Sequence, residues 1–392
     1  NVLGTQLPGP GTIYLEQSLK FLKPVGVGDT VVVRVAVTER DEEKHRLTLA
    51  CTCTNGDGKP VIEGVARVIA PDRKIRRPRM TMPDLVLHKH GKAHGEMLAH
   101  AQALDPMATA VVHPCDRTSL EGALQARDLG VLAPILVGPA SRIHSVAVEN
   151  DLDITGLEIV DTAHSHAAAE AAVELVRAGE AKALMKGALH TDEVMSAVVS
   201  KTEGLRTERR MSHVYVMDVP TYPKPLFITD AAINIAPDLE TKADIIQNAI
   251  DLAHAIGTDV PKVAILSAVE TVSSRMQSTI EAGALCKMAD RGQITGGILD
   301  GPLAFDNAIS MRAVAAKSIM SPVAGQADIL LVPDLEAGNM IAKQLMYLAG
   351  AEAAGVVLGA RGPIILTSRS DDAKTRTASA AIAALFNAAQ RR

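Results

Sequence analysis

The chain has 392 residues, room for two or three domains at roughly 100–200 residues each, and 47% of them are hydrophobic. Aromatics make up only 2% and tryptophan is absent, so Ala, Val, Ile, Leu and Met must fill the cores, as in parallel sheets covered by helices. A net charge of −5 argues against bulk nucleic-acid binding, and no apolar run reaches the ~20 residues of a membrane helix.

Residues 1–70 read as antiparallel β-structure. Thr30–Val37 is a β-branched run, Glu39–Lys44 a charged turn, and Arg46–Thr54 a strand in which Leu47 and Leu49 alternate with Thr48 and Ala50. Asn55-Gly56 supplies positive-φ turn residues, and Val61–Ile69 returns as the next strand. Few strands and almost no helix predict an apolar face that its own chain leaves uncovered. Cys51 and Cys53 fall on one strand face with no second ligand pair at zinc spacing, so they read as packing residues in a reducing, cytoplasmic compartment. Asn1 in place of Met, with no signal segment behind it, reads as a processed chain or a fragment.

The passages Leu3-Gly4-Thr5, Leu7-Pro8-Gly9, Gly11-Thr12-Ile13-Tyr14 and Val25–Thr30 resemble the closing strands of the hot-dog fold in MaoC-like enoyl-CoA hydratases. That family's catalytic Asp/His pair lies earlier in its chain. The only histidine here before residue 80 is His45, beside the charged turn, so no hydratase activity is expected.

Residues 71–83, with three prolines and the basic run Arg73–Arg79, read as a linker, either a solvated hinge or an electrostatic lure for anionic CoA. From Asp84 the rhythm becomes strand, helix, strand, helix. Apolar runs end at Val112, Gly138, Met185, Leu266, Leu299, Val332 and Leu366, with Ala-rich helical segments such as Ala163–Arg177 and Ala243–Ile256 between them. This alternation predicts a parallel α/β sheet covered on both faces. Ligands then belong beyond the C-terminal strand ends. The polar residues there are His113–Arg117, Lys186-Gly187, Asp300-Gly301-Pro302, Pro333-Asp334 and Thr367–Asp372, though any of them is equally placed to cap a helix. There is no Gly-x-Gly-x-x-Gly and no Gly-Lys followed by Ser or Thr. His164 and His166 have no third ligand nearby and read as a helix cap or surface pair.

The passages Asp300–Ser310, Ala327–Asn339, Thr367-Ser368-Arg369, Pro134–Gly138 and Met185–Thr191 together resemble the phosphate acetyl/butyryltransferase family, nearer to its butyryl-type branch, over residues 84–392. The resemblance implies the reaction acyl-CoA + phosphate = acyl phosphate + CoA by direct attack in a ternary complex. Coenzyme A is a substrate there, and no metal or organic cofactor takes part. It also implies a two-lobed, three-layer α/β/α fold with parallel sheets, similar to isocitrate dehydrogenases. One lobe would span 84–210 and 356–392, the other 211–355, in a homo-oligomer. Ser368, Arg369, Asp306 and Asp371 are the catalytic residues it points to. Asn307, Asp334, Asn339, Lys186, Thr191 and Arg361 are the substrate-binding ones.

The chemistry agrees with these types. Arg369 offers a planar fork to phosphate, and Ser368 a donor to an oxyanion. A carboxylate can receive the CoA thiol proton. Asp306, with a pKa raised by burial in a closing cleft, suits that task better than Asp371 at a helix start. Asp372 is a further candidate. The acid that acetyl-type members carry after the Ser-Arg pair falls near Thr375, and one of their arginines falls near Ser196, where Arg206, Arg209 or Arg210 could substitute. The alternatives are a non-catalytic acyl-CoA-binding module and a dehydrogenase of the similar fold. A Cys115 acyl-enzyme assisted by His113 is a further route.

Overall fold

The computed structural model describes residues 2–72, 92–366 and 373–391, and the chain divides into two compact units, Asn1–Val86 and Leu87–Arg392. The predicted linker, apart from Pro71 and Asp72, lies outside the described residues.

The first unit opens with the short helix α1 (Val2–Thr5), followed by strands β1 (Ile13–Phe21), β2 (Val32–Asp41), β3 (Arg46–Thr54) and β4 (Pro60–Ile69). They form one antiparallel sheet in the order β1-β4-β3-β2. The charged turn is shorter than expected, because Glu39, Arg40 and Asp41 pair with Thr48, Leu47 and Arg46 and prolong β2. Register puts Leu19 and Phe21 of β1, Ala66 and Val68 of β4, Leu47 and Leu49 of β3, and Val35 and Val37 of β2 on one face. Leu3 of α1 covers its middle, burying Leu49, Ala66 and Val68. Phe21, at 76% exposure, and Val33 and Val37 remain open.

The second unit begins with α2 (Lys92–Gln102), then β5 (Met107–Val112), α3 (Arg117–Asp128), β6 (Leu132–Gly138), α4 (Ala140–Glu149) and β7 (Ile159–Asp161). It continues through α5 (Ser165–Ala178), β8 (Ala183–Lys186), α6 (Thr191–Val198), β9 (Ser212–Asp218) and β10 (Leu226–Thr229). Next come α7 (Leu239–Ala255), β11 (Lys262–Leu266), α8 (Gln277–Asp290), β12 (Ile298–Leu303), α9 (Phe305–Ile309) and α10 (Met311–Lys317). The chain closes with β13 (Ile329–Leu331), α11 (Leu335–Leu348), β14 (Glu352–Leu358), β15 (Ile364–Ile365) and α12 (Ala373–Ala389).

Every predicted apolar run of this unit is a strand. The expected separate parallel sheets are instead one eleven-stranded sheet, ordered β12-β11-β13-β10-β9-β14-β15-β8-β5-β6-β7. The seam is the antiparallel β9–β14 ladder, from Asp218↔Glu352 to Ser212↔Leu358, flanked by the antiparallel pairs β9–β10 and β14–β15. The remaining pairs are parallel. Three sign changes across the seam make β10, β13, β11 and β12 run opposite to β15, β8, β5 and β6. Outward from the seam, β10-β13-β11-β12 on one side stands opposite β15-β8-β5-β6 on the other, and β7 has no counterpart. Val356, Leu358, Ile365 and Ala380–Ala384 of α12 join the main core beneath this seam.

The expected neighbourhood of the C-terminal strand is present. Ile364 and Ile365 of β15 lie parallel beside Leu184 and Met185, and β8 lies beside β5. Among the described residues, no helix is long and apolar enough to cross a membrane.

Candidate active site

In each half the chain leaves a central strand first to one side and later to the other. The switch points are between β5 and β8 in the first half and between β11 and β13 in the second. Crevices at such points take ligands in open α/β sheets. Because the halves run oppositely, their strand ends emerge at opposite edges of the sheet.

The first crevice is tightly built. Gly187 N–H donates to Val112 C=O at 2.9 Å and Ala188 N–H to His113 C=O at 2.8 Å. A Cβ on Gly187 would lie 2.3 Å from the Val112 oxygen and 2.6 Å from that of His113, so only glycine lets the two strand ends meet. Lys186 is 5% exposed, and its Nζ donates to Gly187 C=O at 3.4 Å. Beyond it His190 opens α6 with a capping box, in which its backbone N–H donates to Glu193 Oε1 at 3.1 Å, and Thr191 is the first helical residue. Ser165 Oγ donates to Glu193 as well, and this bond holds the Glu193 carboxyl below the usual range. β15 leaves the sheet beside Met185, next to Lys186. Ser368, Arg369, Asp371 and Asp372, which follow it, lie outside the described residues.

His113 ends β5 at φ 53°, in the left-handed region. Its N–H donates to Val137 C=O at 2.7 Å. Burial, then the Arg142 charge, lowers its pKa, so the imidazole is neutral at pH 7. Cys115 is buried with its Sγ 3.7 Å from His113 Nδ1, and burial pushes its thiol up, away from the thiolate an acyl-enzyme needs.

The second crevice differs. Asn307 is fully buried, with Nδ2 3.4 Å from Glu270 Oε2. Asp334 caps α11, accepting from Ala337 N–H at 2.8 Å. Asn339 Nδ2 donates to Ala231 C=O at 3.3 Å. Asp306 has a side chain 57% exposed and 3.7 Å from Lys317 Nζ. The cleft expected to join these four to Ser368 and Arg369 involves residues outside the described ones, and the Asp306 side chain is exposed in this structure.

Arg361, in the turn between β14 and β15, also falls at the edge away from Lys186. It lines a hollow of about 440 Å³ with Thr207, Arg209, Asn248 and Asp251. Arg209 bonds Asp251 there, and the Arg210 backbone N–H donates to Asp244 at 2.9 Å. Ser196 lines a hollow of about 550 Å³ between α5 and α6, where four glutamates outnumber His166 and Arg177. That lining repels a phosphate. His164 caps α5 through Nδ1, accepting from Ala167 N–H at 3.2 Å. Sequence reasoning missed Arg142 and Glu193, which carry no strand-end signal. It also missed Asp230, whose carboxylate accepts from His213, Ala232, Ile233 and Asn234 N–H groups after β10.

The phosphate acetyl/butaryl transferase family model matches residues 163–384, more than half of the chain. The chain belongs to this family. A phosphate acetyltransferase of Rhizobium meliloti is 62% identical over 298 residues, 76% of this chain and 94% of that protein. A phosphate butyryltransferase of Clostridium beijerinckii is 42% identical over 297 residues, 76% of this chain and 98% of that protein. Against the expected butyryl leaning, the more identical of these two is the acetyltransferase. A branched-chain phosphotransacylase structure from Enterococcus faecalis superposes with a TM-score of 0.64 at 29% identity, covering 72% of this chain and 99% of that one. The protein is an acyltransferase of this family, and neither the binding-module nor the dehydrogenase alternative is favoured. Among the described residues, no cluster of three or more His, Cys, Asp or Glu is placed to hold a metal ion.

Proposed function

We propose that this protein catalyses acyl-CoA + phosphate = acyl phosphate + CoA, with acetyl-CoA as its preferred acyl donor, at the crevice between β5 and β8. The observation that carries this reading is the 62% identity with a phosphate acetyltransferase along 94% of that protein. The crevice contributes a buried lysine, suited to a compact anion, beside a glycine that lets the two strand ends close together. In this reading Arg369 forks onto phosphate, Ser368 donates to the developing oxyanion, and Asp371 orients Arg369. Lys186 and Thr191 line the anion's approach. A cytoplasmic homo-oligomer is part of the same reading.

The test is thiol release from acetyl-, propionyl- and butyryl-CoA. Release that requires both phosphate and an acyl-CoA, fastest with acetyl-CoA, is the expected result. Release without phosphate, or none with any of the three, rejects it.

For residues 1–70 the proposal is the closing half of a hot-dog sheet, supported by the sequence resemblance and the apolar face described above. Crotonyl-CoA should not be hydrated by this chain. Hydration abolished by His45→Ala would reverse that expectation.

A further inference from the structure

His113 follows β5 in the left-handed backbone region, with its side chain against Cys115. A non-glycine residue at φ 53° is strained, and such residues persist at functional sites where their surroundings hold them. Here the hold is specific. The His113 N–H is bonded to Val137 on β6, and its carbonyl accepts from both Cys115 and Ala188 N–H groups at 2.8 Å. Three connections converge to keep this one residue in the less favourable backbone region, at the mouth of the β5/β8 crevice.

The ring itself has two distinguishable nitrogens. Cys115 is a thiol, because burial disfavours its thiolate, and its S–H lies 3.7 Å from His113 Nδ1. A thiol hydrogen given to Nδ1 leaves the proton of the neutral ring on Nε2. Among the described residues Nε2 has no hydrogen-bond partner, and it is not one of the fully enclosed unsatisfied atoms, so it reaches solvent although the residue as a whole is only 5% exposed. The charged groups that act on the ring are Arg142 from α4, Glu193 from α6 and Asp116 from the cap of α3, and desolvation with Arg142 keeps it uncharged. With the Cys115 thiol as donor to Nδ1, the result is a ring held by its surroundings whose Nε2–H is open to a ligand at the switch point.

We propose that His113 is a catalytic residue whose neutral Nε2–H donates a hydrogen bond to the acyl carbonyl oxygen of the thioester, and that Cys115 is the positioning residue that sets its tautomer. This rests on the transferase reading above. In the step, a phosphate oxygen forms a bond to the carbonyl carbon and the C=O π pair moves onto oxygen, where Nε2–H stabilises it. The pair then returns, the C–S bond breaks, and the proton of hydrogen phosphate passes to the departing CoA sulfur. The imidazole keeps its proton throughout.

The experiment uses acetyl-CoA labelled with ¹³C at the carbonyl, bound to the full chain without phosphate and read by isotope-edited infrared spectroscopy. The carbonyl stretch should fall to lower frequency on the wild-type protein and return to its solution value on His113→Asn. Asn tolerates the positive φ but is too short to reach. The same variant should lose roughly 10²–10³-fold in kcat with KM little changed. His113→Gln should recover part of the loss, and Cys115→Ser should retain more activity than Cys115→Ala. An unshifted band on the wild type, or a band that does not respond to His113→Asn, overturns the proposal even if kcat falls. If the variant does not fold, ¹⁵N-histidine spectra of the wild type decide. Nε2 of His113 must be protonated at pH 7 and its resonance must move on adding acetyl-CoA; a bare or unmoved Nε2 overturns the proposal. Absence of phosphate-dependent thiol release from the wild type would defeat the transferase reading itself, a separate outcome.

Discussion

The two halves of the large sheet each have a switch point and differ in how their crevices are finished. At the β5/β8 crevice a strained histidine keeps a free donor, and a glycine lets two strand ends close together. At the β11/β13 crevice the polar groups are spent on the protein. Asn307 bonds Glu270, Asp334 caps a helix, and Asp306 and Glu270 both lie within 4 Å of Lys317. The sheet therefore offers two switch points, and the proposed function places the chemistry at the first. Mutations in the first half should cost activity, and mutations in the second should cost stability or nothing.

The largest effect expected is at Arg369. Losing a charge-assisted donor to the transition state costs about 3–4 kcal/mol, so Arg369→Ala should lower kcat by roughly 10²–10³. The melting temperature should stay within a degree or two. A parallel loss of both quantities would mark Arg369 as structural and break the contrast on its first side.

The seam should respond to pH. His213 on β9 is fully buried, its ring edge-on to Tyr215, and burial lowers its pKa to about 4. The unfolded chain titrates this residue near 6.5 and so binds more protons than the folded one between those values. Stability is then complete above pH 6.5 and falls as pH drops towards 4, by about 3 kcal/mol in all. Urea unfolding at pH 7 and 4.5 checks this. The pH-dependent loss should be clearly smaller in His213→Gln, and an identical loss would remove His213 from the account.

Much of the fold could be read before the structure, and the missing part is specific. Apolar runs such as Ala110-Val111-Val112 and Val263–Leu266 announce buried strands. β9 and β14 do not, since Ser212-His213 puts polar residues inside and Glu352-Ala353-Ala354-Gly355 looks like helix or loop. Gly355 is required because a Cβ there would lie 2.7 Å from His213 Nε2, a contact between strands that no local pattern encodes. Without these two strands the reversal of direction is invisible, and strand ends from both halves look like one site. Lys186 and His113 do stand at strand ends, as the apolar runs before them imply, while the opposite direction of the strands before Asp306 and Asp334 could not be read from the sequence.

A smaller effect is expected at Asn307. It is completely buried, its Oδ1 has no hydrogen-bond partner, and Nδ2 bonds Glu270. Asn307→Ala should cost about 1–3 kcal/mol in unfolding free energy through the lost bond and the space left behind. kcat/KM measured well below the melting temperature should stay within about two-fold, an order-of-magnitude bound for a residue that stabilises no transition state. A large catalytic loss with unchanged stability would show that the second crevice also takes part in the reaction.

The smallest effect, and the sharpest test of the contrast, is at Asp306. Its carboxylate stands at the edge away from Lys186, 57% exposed, and its neighbour Lys317 is 40% exposed. A base must stand within hydrogen-bond reach of the proton it takes, and water competes for a carboxylate this exposed. Exposed ion pairs of this geometry contribute about 0–1 kcal/mol. Asp306→Asn should accordingly leave the melting temperature nearly unchanged and preserve kcat together with the acidic limb of its pH profile. Asp371→Asn, altered beside Arg369, should lower kcat by more. If Asp306→Asn instead removes the acidic limb while the protein stays folded, the second half contributes a proton acceptor to the reaction. The division of labour between the halves then fails, and closure of one edge of the sheet towards the other becomes a required step.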